Sequence, residues 1–500
     1  MREESVGEEQ RAGPMPSVAQ RAASGALWVL LGFGAYRALG FASSIVLARL
    51  LSPADFGLVS FAMILIGAFT LLQDLGVPAA IVYSERDVRE VGGTALTINM
   101  AAALGLGAAT VLVAPTLGGL GGNPDIAPVA SALALGLVIT SLGSVHGALL
   151  TKELAFGRKF LPDVLPLAGS GVSAISLAIL GFGAWSLVIG HLVKAVVYSA
   201  LLWVLSPHRF WPSFRCSTAA ELLRYGRHVS LAAVIGFALM NVDYLIVGSA
   251  LGSLALGLYT MAFVLAGLPS TAISQVVATV AFPAYTQLRN DSAAMMRMFA
   301  EVFTLVCALA IPAGLAMFAL APAFVPLLLG EKWVGIVVPL QVLVAFGVLR
   351  AVEYSFAPLF KAVGRPDVSW RLSLLRLAVL APLLVLAVPQ GLVAVAMAQV
   401  AVAALFVPIN GVVLARLVGM PVRRLWQMAS APLAGAAVMA LFLAGGRGVA
   451  ALNGASAQPV GAATLTAVAL AAYAVVLCTL NPRLAALGQA TCVSILRLRH

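Results

Sequence analysis

The chain has 500 residues, 61% of them hydrophobic and only 10% charged, with a formal net charge of +11. Soluble proteins carry about 25% charged residues, and so few charges cannot keep a globular surface in water. This excludes a soluble enzyme or a nucleic-acid-binding domain. It makes the positive charge a matter of topology, because basic residues collect in loops on the cytoplasmic side of a membrane. The 47 glycines suit closely packed membrane helices, where small residues let backbones approach.

A helix needs about 20 apolar residues to cross a bilayer core about 30 Å thick. Residues 1–24 carry both arginines and glutamates, precede no cleavable apolar leader, and read as a cytoplasmic N-terminal tail. Spans are then expected near 26–49, 56–80, 92–115, 126–150, 164–182, 184–205, 228–251, 256–282, 299–328, 334–358, 370–388, 390–415, 428–446 and 460–480. The count is fourteen; the short span 164–182 and the tight link Pro389 to Gly391 leave twelve and thirteen open. With both termini and the even-numbered links on one side, that side holds 23 basic residues and the other only Arg49, Lys332 and Arg447. The imbalance places both termini in the cytoplasm.

Landmarks recur at an offset of 200 residues: Leu51 and Leu251, Gly57 and Gly257, Leu58 and Leu258, Ala62 and Ala262 are identical. Each half then reaches a Gly-Arg pair, Gly157-Arg158 and Gly364-Arg365, followed after an apolar span by Gly183 and Gly391. The expected fold is all-α and polytopic, with two six-helix lobes related as parallel repeats about an axis along the membrane normal. The expected divisions are a tail 1–24, an N-terminal lobe 25–206, a basic cytoplasmic linker 207–227, a C-terminal lobe 228–416, two additional helices 417–482 and a cytoplasmic C-terminal tail 483–500.

Ionisable groups inside spans are costly and face a bundle interior or a wet cavity. Arg37 sits in the middle of span 1. Asp243 and Asn241 lie in span 7, its repeat partner, and Asp74 follows Gln73 late in span 2. His191 and Lys194 are three residues apart in span 6, as are Arg350 and Glu353 in span 10, so each pair shares a helix face. Guanidinium groups grip phosphate oxygens with several fixed donors. Arg37, Lys194, His191 and Arg350 are therefore the candidates for binding an anionic substrate in a cavity. Asp243, Glu353, Asp74 and Asn241 are the candidates for a coupling ion or counter-ions. Asp243 reads equally as the counter-ion of Arg37, and Arg350 and Glu353 as a self-neutralising pair. Arg376, Glu301 and His146 lie near span ends and are expected to snorkel. The four cysteines form no CxxC pair or metal spacing, and no P-loop, HExxH or GxSxG occurs. No catalytic residue, metal or cofactor is expected.

The run from Leu47 to Leu58 (LARLLSPADFGL), followed by Gln73, Asp74 and Gly76, resembles the polysaccharide-transporter branch of the MOP flippase superfamily, the Wzx-like oligosaccharide flippases. The blocks Glu221 to Gly226 (ELLRYG), Asn241 to Tyr244 (NVDY), Gly257 to Tyr259 (GLY), Phe282 to Tyr285 (FPAY) and Lys361 to Asp367 (KAVGRPD) agree in order and spacing. The resemblance covers about residues 20–420 and implies a MATE-like fold. It implies a flippase that moves a polyprenyl diphosphate-linked oligosaccharide across the bacterial inner membrane by alternating access, for surface polysaccharide export. It carries over no individual binding residue. The implied partners are the lipid-linked glycan, membrane lipids, and a polymerase and glycosyltransferases of the same pathway. A lipid II flippase or drug/metabolite antiporter is the alternative transporter. A membrane-embedded polymerase fits less well, because the links opposite the termini are short.

Overall fold

A computed structural model of the chain describes residues 18–74, 76–83, 88–288, 291–421, 423–452 and 459–481. They form α1 (Val18–Leu50), α2 (Pro53–Asp74), α3 (Val77–Tyr83), α4 (Val88–Leu120), α5 (Ile126–Lys152), α6 (Phe156–Ile179), α7 (Ala184–Leu205) and α8 (Cys216–Gln287). There follow α9 (Ser292–Leu329), α10 (Val337–Tyr354), α11 (Phe356–Ala362), α12 (Pro366–Ala387), α13 (Leu392–Val418), α14 (Arg423–Leu452) and α15 (Pro459–Leu480). No strand occurs among the described residues. The expected tail is helical from Val18 onward; residues 1–17 and 482–500 lie outside the described residues.

Twelve stretches among the described residues are long and apolar enough to cross a membrane. One of them, Val234–Thr271, is two crossings. Gly252, at φ 78° and ψ −179°, breaks α8 in a conformation that side chains with a Cβ avoid. The chain doubles back there: the rings of Tyr244 and Phe263 are 5.5 Å apart, whereas 19 residues of straight helix would separate them by about 28 Å. α8 is thus a hairpin of two arms, 216–251 and 253–287. Counting α1, 33 residues long, the crossings among the described residues number fourteen. The link at Pro389 to Gly391 also separates two crossings, α12 and α13, through a short 3-10 turn.

The two lobes meet at the end of the molecule where α1 and α9 finish, and their first contact there is reciprocal. A Cβ on Gly57 would lie 1.7 Å from the carbonyl oxygen of Ser253, and a Cβ on Gly257 would lie 1.7 Å from that of Pro53. Positions 53 and 57 of one lobe therefore meet positions 253 and 257 of the other, the self-complementary contact that a two-fold axis produces. Only glycine allows backbones this close.

Charge finishes the seal. The last carbonyls of a helix lack intrahelical partners and carry partial negative charge. Arg49, at the end of α1, donates to the carbonyls of Leu327 and Leu328 at the end of α9. Lys332 donates in return to the carbonyl of Arg49 at 2.8 Å, and the buried Trp333 indole to that of Ala48 at 2.8 Å. The edge of one ring in the Phe56–Trp333 pair meets the face of the other at 5.4 Å. Two of the three basic residues expected on this side thus cap a helix of the opposite lobe.

The connector between the lobes, residues 206–215, is held by lobe 1. Phe210 is buried beside Gly92, Thr97 donates to the carbonyl of Ser213 at 2.9 Å, and Arg215 pairs with Glu90 at 2.9 Å. α14 and α15 lie outside the repeat and pack on α9, with Tyr473 donating to the Ala308 carbonyl at 3.0 Å.

Candidate functional site

Two seams run from the sealed end between the lobes. In the first, α2 packs along the first arm of α8. A Cβ on Gly67 would lie 2.7 Å from the Phe237 ring, and one on Gly248 would lie 2.3 Å from Phe61. In the second, α1 faces the second arm of α8. The offset of 200 converts Phe237 and Gly67 into Arg37 and Gly267. Among the described residues, nothing lies within 4 Å of a Cβ built on Gly267. The second seam is open.

Two cavities follow one another along that opening and a third adjoins them within lobe 1, the three graded in polarity. Nearest the sealed end is an apolar groove of about 370 Å³ lined by α1, the second arm of α8 and α9. Phe41, Ile45, Leu265, Leu268 and Leu329 line this groove and also the next cavity, about 170 Å³, into which Arg37 is set. Tyr36 belongs to that second cavity and also to a third of about 520 Å³, bounded by α1, α6 and α7 and carrying Lys159, Asp163, Lys194 and Tyr198. The order is hydrocarbon, guanidinium, mixed polar.

Arg37 is accessible in the seam and lies 5.3 Å from the ring of Phe33. No carboxylate lies within ion-pairing distance of it among the described residues. Asp243 is not its counter-ion. That carboxylate is buried in lobe 2, where it accepts hydrogen bonds from Tyr259 at 2.8 Å, Gln399 at 2.8 Å and the backbone N–H of Tyr244 at 3.0 Å. Asn241 is bound to the carbonyl of Phe237 at 2.9 Å, and Asp74 ends α2, half-buried.

Helical spacing misassigned two pairs. Lys194 reaches the third cavity and donates to the Tyr36 hydroxyl at 3.2 Å. His191 turns toward α5, its ring beside Gly136. Glu353 pairs with Arg376 from α12, not with Arg350. Arg350 instead donates to the Tyr354 hydroxyl at 2.8 Å and to the Met240 sulfur at 2.6 Å, with the rings of Phe263, Phe346 and Tyr354 around it. Nor do Arg376 and His146 snorkel. Both are buried, Arg376 by its carboxylate partner and His146 between the rings of Trp203 and Phe210. Glu301 is exposed.

Sequence reasoning missed Tyr36, Lys159 and Asp163. The one available signal was the spacing of Lys159 and Asp163, four residues apart and so on one face of α6. It missed Gln399 and Tyr259 as well, because their common acceptor is visible only once α8 folds back.

A family model described as polysaccharide biosynthesis protein matches residues 46–338. Among similar proteins, the lipopolysaccharide biosynthesis protein WzxC of Escherichia coli K12 is 27% identical over 377 residues, covering 74% of this chain and 76% of the relative. The succinoglycan biosynthesis transport protein ExoT of Rhizobium meliloti is 27% identical over 357 residues, 70% of this chain and 71% of the relative. Among solved structures, the lipid II flippase MurJ in an inward closed conformation superimposes with a TM-score of 0.71 at 15% identity, over 92% of this chain and 99% of that one. A multidrug resistance MATE transporter of the MOP superfamily, inward-facing, gives 0.61 at 17% identity, over 76% and 94%. At such identities the structural likeness establishes the fold.

Proposed function

The chain belongs to the polysaccharide biosynthesis protein family, and from that premise we propose that it is a flippase for polyprenyl diphosphate-linked oligosaccharide in the bacterial inner membrane. The observation that carries the proposal is the graded open seam. A lipid-linked glycan is a hydrocarbon chain, a diphosphate and a sugar, in that order. The seam offers an apolar groove and a guanidinium with no ion-pair partner among the described residues, and a polar cavity adjoins it in lobe 1, in the same order. Arg37 is the diphosphate ligand: a cation held in the membrane without a counter-ion is costly, and an anionic cargo removes that cost.

The bias of 23 basic residues against 3 supports cytoplasmic termini. The sealed end is then extracytoplasmic, and the polar cavity lies toward the cytoplasmic leaflet, where such a lipid presents its sugar. Lobes 25–206 and 228–416 exchange access; of the expected linker 207–227 only the part up to Arg215 is non-helical, and it is anchored to the first lobe, while helices 417–482 ride on the second. Outward opening requires the Arg49, Lys332 and Trp333 caps to break. Glycosyltransferases supply the cargo and a polymerase consumes it. Asp243, satisfied by three donors, holds the α8 hairpin to α13.

Deletion of the gene is expected to abolish surface polysaccharide while cell-wall synthesis continues. Complementation should succeed with the wild type and fail with Arg37→Ala, at equal protein levels in the membrane. Normal export by that variant would overturn the assignment of Arg37.

A further inference from the structure

The third cavity holds more than a flippase needs for the diphosphate. Lys159 from α6 and Lys194 from α7 both face it, against the single carboxylate of Asp163. Lys194 is half-buried; its Nζ is 3.2 Å from the Tyr36 hydroxyl and 5.5 Å from the centroid of that ring. No carboxylate lies within 4 Å of either ammonium among the described residues, and the lining itself holds two ammoniums to one carboxylate, an excess of one positive charge. Phe33 and Phe160 supply aromatic faces. A volume of about 520 Å³ is in the range of small-molecule sites and accommodates a sugar residue. Aromatic faces suit the C–H face of a pyranose, and the phenols, ammoniums and carboxylate suit its hydroxyls.

We propose that this lobe-1 pocket is the subsite for the sugar joined to the diphosphate, and that it selects an acidic sugar, one bearing a carboxylate. The assignment rests on the flippase reading above. The diphosphate is accounted for by Arg37 in the adjoining cavity, with Tyr36 as the shared wall. A sugar carboxylate would bring the pocket to neutrality, which a neutral sugar cannot do. Lys194 and Lys159 are then residues that set cargo specificity.

The test is binding to the full chain in nanodiscs, with three probes: undecaprenyl diphosphate, its glucose conjugate and its glucuronic acid conjugate. The wild type should bind the glucuronic acid conjugate about tenfold more tightly than the glucose conjugate, the ratio that one charge-assisted hydrogen bond supplies. Lys194→Gln and Lys159→Gln should each reduce that preference and leave binding of undecaprenyl diphosphate unchanged. Lys194→Arg should keep the preference, which separates lost charge from lost folding. Equal affinity of the wild type for the two conjugates would overturn the proposal. So would a Lys194→Gln variant that binds sugar-free undecaprenyl diphosphate less well, since that would place Lys194 on the diphosphate. If none of the three probes binds, the flippase reading fails as well.

Discussion

In the seam between α2 and the first arm of α8, Phe237 lies against Gly67; the same repeat positions of the twin seam hold Arg37, which lines a cavity, and Gly267, whose built Cβ meets no described atom within 4 Å. The backbone positions are equivalent, and the sealed end that both seams share treats the lobes alike. The side chains make the difference. An aromatic ring fills the space above a glycine and excludes lipid and water. A guanidinium cannot, because its charge must stay solvated or bind an anion. Duplication supplied two seams, and one pair of residues makes one of them packing and the other a binding site.

The shared end can be broken most severely. Gly57→Ala and Gly257→Ala each place a methyl carbon 1.7 Å from a backbone carbonyl oxygen of the other lobe. Overpacking of this kind costs about 1–3 kcal/mol or more. Both variants should melt lower in detergent, by similar amounts because the contact is reciprocal. Unequal losses would show that the two lobes do not meet as mirror contacts of one axis.

A milder pair sharpens the contrast between the seams. Gly67→Ala must displace the Phe237 ring, whereas Gly267→Ala meets nothing within 4 Å. Both gain about 1 kcal/mol of helix propensity. Gly267→Ala should therefore be the more stable of the two by about 1 kcal/mol of overpacking avoided, read as a higher melting temperature. The opposite order would mean that the second seam is as tightly packed as the first.

Much of this was legible in the sequence. Fourteen crossings followed from hydropathy, because the bilayer imposes a length on every helix. The repeat was visible only as scattered identities, and the further pairs Leu65/Leu265 and Gly67/Gly267 gain meaning once α2 and α8 are seen in contact. Arg37 stood out because a charge in mid-span needs a reason. Its significance as the counterpart of Phe237 did not, since a comparison of identities passes over the positions that differ. Spacing along one helix paired Arg350 with Glu353. The true partner, Arg376, comes from α12, and a partner from another helix leaves no mark in local periodicity. Arg49 and Lys332 counted only as loop charges, because a cap on a foreign helix end exists only in the folded molecule.

The central claim is that cargo occupies the open seam and not its twin. A polyprenyl diphosphate glycan carrying a photoreactive group on its isoprenoid chain, bound to the protein in nanodiscs and mapped by mass spectrometry, tests it directly. The label is expected on Phe41 and Ile45 of α1 and on Leu265 and Leu268 of α8, with Arg37→Ala reducing the yield. Equal labelling around Gly67 and Phe237, or a yield unchanged by loss of Arg37, would contradict it.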